Sequence, residues 1–178
     1  DLDEAIASIK ESASKNDGRY KFYTSDCLPE TFTFERGSSK YAPRPNQEKT
    51  ISAFGDAVKK GHTNLLMYAV MRFGKSFTSM CCAVEMNAKF VLIVSAKADV
   101  KNEWKKTVES HVKFDGFSFL DSNSLLESET IINDKQEANE KVALFLTLQD
   151  LQGDDIKTKH KEVFENQIDL LLIDETHF

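Results

Sequence analysis

The chain has 178 residues, of which 40% are hydrophobic and 29% charged, and its formal net charge at pH 7 is −6. This size and composition predict about one globular domain with a real core, and the acidic balance argues against a dedicated nucleic-acid binder. No apolar run approaches the roughly 18 residues that a membrane-spanning helix needs. No signal peptide is visible, and the three cysteines show neither a disulfide framework nor metal-ligand spacing, which favours a reducing, cytoplasmic compartment without membrane contact.

The charge is unevenly distributed along the chain. Residues 89–113 hold six Lys against three acidic residues, a net charge of +3, whereas residues 115–140 hold seven acidic residues against one Lys, a net charge of −6. This contrast predicts a small basic surface on an otherwise acidic body.

The first 43 residues carry the least regular pattern of the chain. Residues 1–16 predict a short helix, and aromatic side chains near alternate positions of 17–45 favour one or two short strands or an ordered lead-in. We interpret 1–43 as a lead-in segment and 44–178 as the principal domain. A missing initiator Met and a chain end close after an apolar strand pattern lead us to expect a fragment of a larger protein.

From residue 44 onward, helical and strand patterns alternate. Helices are predicted over 46–60, 75–87, 99–111 and 155–166, and strands over 64–69, 90–95, 116–120, 142–147 and 170–173, with an acidic linker of partial helical character over 121–140. The strands are continuously apolar, which is typical of a parallel sheet with helices on both faces, and Trp104 is predicted to be core. The predicted fold is therefore α/β, a three-layer αβα sandwich with a mainly parallel sheet and ligands at the carboxyl ends of its strands.

The first candidate site is the stretch Gly74-Lys75-Ser76, between a predicted strand and a predicted helix. A phosphate-binding loop needs a helix N-terminus that faces the anion, a Lys that reaches the β- and γ-phosphates, and a hydroxyl that holds Mg²⁺. Alone, the tripeptide could occur by chance, but its position favours the loop. Ala69 stands where such loops usually carry glycine and is tolerable as the smallest alternative. The candidate nucleotide-binding residues are Ala69, Val70, Met71, Arg72, Phe73, Gly74, Lys75 and Ser76.

The second candidate site is the acidic end of the last predicted strand, Asp174-Glu175-Thr176-His177. A carboxylate at this place can hold Mg²⁺, and a neighbouring Glu can polarise the attacking water. A solvated acidic strand end is the alternative when this pattern is considered by itself. Together with the loop, it predicts an ATP hydrolase in which Lys75, Asp174 and Glu175 are catalytic and Ser76 and Asp174 hold Mg²⁺.

These residues resemble superfamily 2 helicases and translocases in their first RecA-like domain. The similar segments are "RPNQ" at 44–47, motif I at 69–76, motif Ia and its helix at 91–104, "FLTLQDL" at 145–151, and a DExH box at 174–177. Arg-Phe inside motif I and the Thr-Leu-Gln segment look closest to the motor subunits of type III and type I restriction enzymes. The resemblance covers 44–178 and does not extend to 1–43.

The resemblance implies a RecA-like P-loop NTPase fold, ATP and Mg²⁺ as cofactors, and nucleic acid as partner, with DNA favoured over RNA. Gln47 would read the adenine edge and Arg44 would support the base or the loop, the alternatives being a surface Gln and an ordinary salt bridge. His177 is implied as a fourth catalytic residue, which would link the nucleotide site to later motifs. The implied contacts with the nucleic-acid backbone are Ser95, Ala96, Lys97, Thr147 and Gln149. The alternative is that these residues are helix caps and a solvated Lys.

The expected function is therefore the ATP-hydrolysing motor domain of a DNA helicase or translocase from a restriction–modification enzyme. A second RecA-like domain in the full-length chain would supply arginine fingers, so the fragment alone is expected to hydrolyse ATP poorly. Other restriction–modification subunits are further candidate partners. Two alternatives are a different P-loop enzyme, such as a small-molecule kinase, and a non-catalytic nucleotide-binding module. The kinase leaves the Thr-Leu-Gln segment unexplained, and the intact loop and acidic residues speak against the module.

Overall fold

A four-stranded parallel sheet forms the centre of the fold in the computed structural model, which describes residues 40–153 and 157–174. In the spatial order β2-β3-β1-β4, its strands are β1 (Phe90–Ser95), β2 (Phe117–Asp121), β3 (Lys141–Thr147) and β4 (Leu170–Asp174). Ser95 is in register with Thr147 on one side and with Asp174 on the other. The carboxyl ends of three strands, each carrying a predicted site residue, therefore meet at one edge of the sheet.

Helices cover both faces of this sheet. They are α1 (Pro45–Lys59), α2 (Lys75–Glu85), α3 (Lys101–Ser110), α4 (Ser124–Glu127), α5 (Ile131–Glu137), α6 (Leu148–Leu151) and α7 (Lys161–Glu165). Val91 and Ile93 of β1 pack with α1, α2 and α3, whereas Leu92 and Val94 pack on the opposite face with α4, α5 and α7. Because both faces are apolar, β1 is a continuous hydrophobic run. The predicted α/β three-layer, RecA-like arrangement is confirmed.

Most predicted elements agree with the observed ones to within two residues. Trp104 is buried in the core, as predicted, and so are both cysteines of α2. The helix predicted over 155–166 is wrong in extent, because Lys157 has an extended backbone with ψ of 142°. A short 3₁₀ turn, Thr158–His160, follows and leads into α7.

The strand predicted over 64–69 is wrong. The segment has no regular structure, and its side chains Leu66 and Tyr68 are 82% and 95% exposed. An apolar run becomes a strand only where its backbone groups find a ladder partner, and none of the described strands pairs with it. Within the described residues β4 is consequently an edge strand, on which Leu171 and Ile173 are exposed.

Several predictions lie outside the described residues. They are the helix over 1–16, strands within 17–39, and the last residues of the acidic motif, Glu175, Thr176 and His177. Among the helices that the structure does describe, none has the length and apolarity to cross a membrane.

Candidate functional site

The predicted phosphate-binding loop runs directly into α2, whose first residues are Lys75 and Ser76. Gly74 precedes this helix with a φ of +86°, in the left-handed region that favours glycine. A Cβ at Gly74 would also lie 2.7 Å from the side-chain nitrogen of Gln47. The positive φ therefore favours glycine at this position, and a Cβ would also displace the Gln47 amide from its place beside the loop. The positive N-terminal end of an 11-residue helix opens onto the loop.

The start of α1 holds the loop through two side chains. Arg44 donates hydrogen bonds from Nη2 to the carbonyl oxygens of Arg72, at 3.1 Å, and of Phe73. Gln47 donates from Nε2 to the same Phe73 oxygen at 2.7 Å, and its Oε1 accepts from the Arg44 backbone N–H at 2.8 Å. Both residues thus lie beside the loop, and both ends of the Gln47 amide are hydrogen-bonded to backbone.

Two consecutive residues of α3 contact the two candidate Mg²⁺ ligands. The Ser76 hydroxyl donates to Oε1 of Glu103 at 3.3 Å, and Nε1 of Trp104 donates to Oδ2 of Asp174 at 3.1 Å. The sequence interpretation assigned Trp104 to the core only and did not single out Glu103. The need of a buried indole N–H for an acceptor was the available signal for the Trp104 contact.

These groups line one cleft with a volume of about 270 Å³, just below the usual range for small-molecule sites. The cleft brings the loop and the strand-end carboxylate together, although they are far apart in the sequence. Its lining residues are Arg72, Phe73, Gly74, Lys75, Ser76, Val100, Glu103, Trp104 and Asp174. Among the predicted loop residues, Ala69, Val70 and Met71 lie outside this lining, and the last two are exposed.

The donor set of the cleft fits Mg²⁺ bound together with phosphate. Mg²⁺ is typically held by one or two protein oxygens, substrate phosphates and water, not by an all-protein cage. Ser76 supplies a hydroxyl and Asp174 a carboxylate, and Lys75 lines the same cleft. Within residues 40–153 and 157–174, no cluster of three or more His, Cys, Asp or Glu side chains is placed to bind a metal ion.

The predicted nucleic-acid contacts lie at the carboxyl edge of the sheet. The hydroxyls of two of them, Ser95 and Thr147, already form hydrogen bonds within the chain. Ser95 is 0% exposed and accepts a hydrogen bond from the backbone N–H of Lys97 at 3.2 Å. Thr147 caps α6 in a reciprocal pair with Asp150, donating to Oδ2 at 2.7 Å and accepting from the backbone N–H at 3.1 Å. Lys97 and Gln149 are exposed at this edge, and Ala96 is half-buried.

Charged groups around Thr147 form a compact network. Burial tends to raise the pKa of Asp150, but hydrogen bonds from Thr147 and Ser122 and the charge of Lys159 lower it to about 2. Nearby His160 is 2% exposed, and its Nε2 has no hydrogen-bond partner among the described residues. Burial, assisted by the charge of Lys159, lowers the pKa of His160.

The comparison with protein families assigns this arrangement to a known group. No curated protein shows significant similarity to the chain. The family model of the type III restriction enzyme res subunit, ResIII, matches residues 40–178, which include the loop and the acidic strand end. The predicted resemblance to the first RecA-like domain of superfamily 2 motors is confirmed, and the family consists of ATP-dependent, helicase-like motors that typically use Mg²⁺. The chain therefore belongs to the type III restriction enzyme res subunit family.

Proposed function

We propose that this chain is the ATP-binding and ATP-hydrolysing motor part of a DNA translocase or helicase of the restriction–modification type. The observation that carries the proposal is the common cleft of Lys75, Ser76 and Asp174. Membership of a family of helicase-like motors supports it. In this proposal residues 44–178 are the motor domain and 1–43 lead into it.

Three residues of the cleft, and two that follow Asp174 in the sequence, are assigned roles from their chemistry. Lys75 and the backbone N–H groups at the start of α2 bind the β- and γ-phosphates. Ser76 and Asp174 hold Mg²⁺, which when bound neutralises charge on the phosphates. Glu175, next to Asp174 in the sequence, orients the attacking water and accepts its proton, and His177 links the site to later motifs.

Arg44 and Gln47 serve the nucleotide first by holding the loop in shape. The loop residues from Ala69 to Phe73 form the turn around the phosphates. Beyond its hydrogen bonds to the Arg44 N–H and the Phe73 oxygen, the Gln47 amide retains one N–H and one oxygen lone pair, and with these it reads adenine. Loop closure and base recognition are then coupled through one side chain.

The nucleic-acid partner is DNA in preference to RNA, and it contacts the carboxyl edge of the sheet through its phosphates. Lys97 supplies a charge, Gln149 an amide and Ala96 a backbone N–H, while Ser95 and Thr147, already hydrogen-bonded within the chain, fix the shape of the strand ends. A second RecA-like domain of the full-length protein contributes arginine fingers and the rest of the track. Other restriction–modification subunits are further partners, and the compartment is the cytoplasm.

ATP turnover by the full-length protein, measured with and without duplex DNA, tests the proposal. DNA stimulates the wild type, Glu175→Gln binds ATP without turning over, and Lys75→Ala loses both binding and turnover. Lys59→Ala, which removes an exposed Lys from the last turn of α1, is the matched control and leaves turnover unchanged. The 178-residue chain alone hydrolyses ATP slowly, because arginine fingers contribute about 10³ to 10⁵ in rate.

Two results would overturn the proposal. Turnover that responds to a small-molecule acceptor and not to DNA would indicate a kinase. ATP binding that persists in Lys75→Ala, with no turnover in the wild type, would indicate a non-catalytic nucleotide-binding module.

A further inference from the structure

The first turn of α3 contacts both protein groups that would hold Mg²⁺. Glu103 accepts from the Ser76 hydroxyl at 3.3 Å, and the next residue, Trp104, donates to Asp174 Oδ2 at 3.1 Å. Neither contact is needed to build α3, whose packing depends on the apolar faces of Trp104 and Val108.

The Trp104 ring and its N–H have separable roles. The ring is 3% exposed and belongs to the same core cluster as residues of the sheet and of α2, a role that Phe could fill in large part. The indole N–H, however, needs an acceptor when buried, and its acceptor is a carboxylate 70 residues away in the sequence. A hydrogen bond to a charged acceptor is about twice as strong as one between neutral groups, so this contact restricts the Asp174 rotamer.

Both contacts leave the ligand atoms able to bind a cation. Asp174 accepts from Trp104 through Oδ2, and no other hydrogen bond to its side chain comes from the described part of the chain. Ser76 directs its proton to Glu103, which leaves the lone pairs of its oxygen for another partner. Groups that bond to metal ligands in this way orient them and tune their affinity.

We propose that Glu103 and Trp104 are positioning residues for the Mg²⁺ site, Glu103 acting on Ser76 and Trp104 acting on Asp174. The inference rests on the proposed function of the cleft. It adds to the site a set of residues that do not bind the metal ion but hydrogen-bond to its ligands. These residues belong to α3, the helix that follows Ser95, Ala96 and Lys97 in the chain.

Calorimetric binding of ADP, with Mg²⁺ and with a chelator, tests the role of the indole N–H. Trp104→Phe keeps most of the ring and removes the donor. We expect it to weaken Mg²⁺-dependent ADP binding about 10- to 100-fold, as is typical when a residue that hydrogen-bonds to a metal ligand is replaced. The affinity for ADP in the presence of a chelator should stay near the wild-type value. Unchanged Mg²⁺ dependence in a folded Trp104→Phe protein would overturn the role of Trp104.

The role of Glu103 has its own pair of variants. Glu103→Gln retains an oxygen that accepts from Ser76 and should keep most of the Mg²⁺ dependence, whereas Glu103→Ala removes the acceptor and should lose it. Glu129→Ala, which removes an exposed carboxylate outside the cleft, is the control. Equal Mg²⁺ dependence in Glu103→Ala and wild type would overturn the role of Glu103.

A spectroscopic readout does not depend on the folding of a Trp variant. Trp104 is the only tryptophan of the chain, so an isotope-labelled sample has a single indole N–H resonance. We expect the chemical shift of this resonance to change when Mg²⁺ and ADP are added. In the ligand-free protein, we expect its chemical shift to differ between wild type and Asp174→Asn. A resonance insensitive to both would contradict the contact.

The outcomes distinguish this inference from the proposed function. A wild-type chain that binds no ADP with or without Mg²⁺ contradicts both. A wild type with Mg²⁺-dependent binding, combined with unaffected Trp104→Phe and Glu103→Ala proteins, contradicts only the positioning role.

Discussion

The side-chain nitrogen of Gln47 lies only 2.7 Å from the place that a Cβ would occupy at Gly74. The same nitrogen donates to the Phe73 carbonyl at 2.7 Å, so α1 and the phosphate loop are in close contact at one atom. This contact accounts for a glycine at the start of α2 by packing as well as by its positive φ.

Substituting Gly74 by Ala should therefore remove nucleotide binding and destabilise the fold. The left-handed backbone costs about 1–2 kcal/mol for a residue with a Cβ, and the clash with Gln47 adds to it. Gly61→Ala is the matched control, because Gly61 has a φ of +82° and nothing lies within 4 Å of the place that its Cβ would occupy. Urea unfolding and ADP calorimetry of both variants check this; equal losses would contradict the clash.

Truncating Gln47 should partly rescue Gly74→Ala. In Gln47→Ala the loop loses one tether but gains room for the methyl group, so the double variant should cost less than the sum of the single ones. Contacting residues typically show such coupling at about 0.5–3 kcal/mol. Free energies of unfolding for the four proteins of the cycle measure it, and additivity would show that the two side chains do not meet.

The stability of the chain should fall as the pH is lowered through the range in which His160 titrates. Burial lowers the pKa of folded His160 from its usual 6.5, so the unfolded state binds more protons between the two pKa values. Stability is therefore full above about pH 6.5 and declines as the pH falls towards the folded pKa. Urea titrations over this range should show a shallower pH dependence in His160→Gln, and identical slopes would contradict the assignment.

If the carboxyl edge of the sheet follows DNA phosphates, Lys97→Ala should weaken DNA binding to a similar extent for all sequences. The loss of one phosphate contact should reduce the slope of log affinity against log salt by about one. Fluorescence anisotropy with duplexes at several salt concentrations measures it, with Lys59→Ala as the control. A sequence-dependent loss with an unchanged salt slope would contradict phosphate contact at Lys97.

A substitution at Thr147 can distinguish a structural role from a nucleic-acid-binding role at the carboxyl edge of the sheet. The Thr147 hydroxyl completes the reciprocal cap with Asp150, so Thr147→Ala should lower the free energy of unfolding by about 0.5–2 kcal/mol. Because the hydroxyl is already bonded, DNA affinity should change much less than in Lys97→Ala. A large loss of DNA affinity with unchanged stability would indicate that the hydroxyl contacts DNA directly.

Patterns that depend on neighbouring residues were predicted well from the sequence. The apolar run of β1 and the helix start at Lys75 lie where local patterns predict them. The meeting of the carboxyl ends of β1, β3 and β4 at one edge follows from the general topology of such sheets, whereas the exact register of Ser95 with Thr147 and Asp174 is seen only in the structure.

Features that depend on a distant partner could not be predicted in the same way. The segment 64–69 has the apolarity of a strand, but periodicity does not specify its ladder partner. The bonds of Gln47 to Phe73 and of Trp104 to Asp174 join residues 26 and 70 positions apart. Spacing within one helix identifies Trp104 as core but carries no information about the acceptor of its N–H.

Mg²⁺-dependent ATP binding measured by calorimetry on wild type, Lys75→Ala and Asp174→Asn tests the central claim most directly. The wild type should bind ATP more tightly with Mg²⁺ than in chelator. Lys75→Ala should lose binding in both conditions, and Asp174→Asn should lose only the part that depends on Mg²⁺. Binding of the same strength in all three proteins, or none in the wild type, would contradict a Mg²⁺–ATP site in the cleft between the loop and β4.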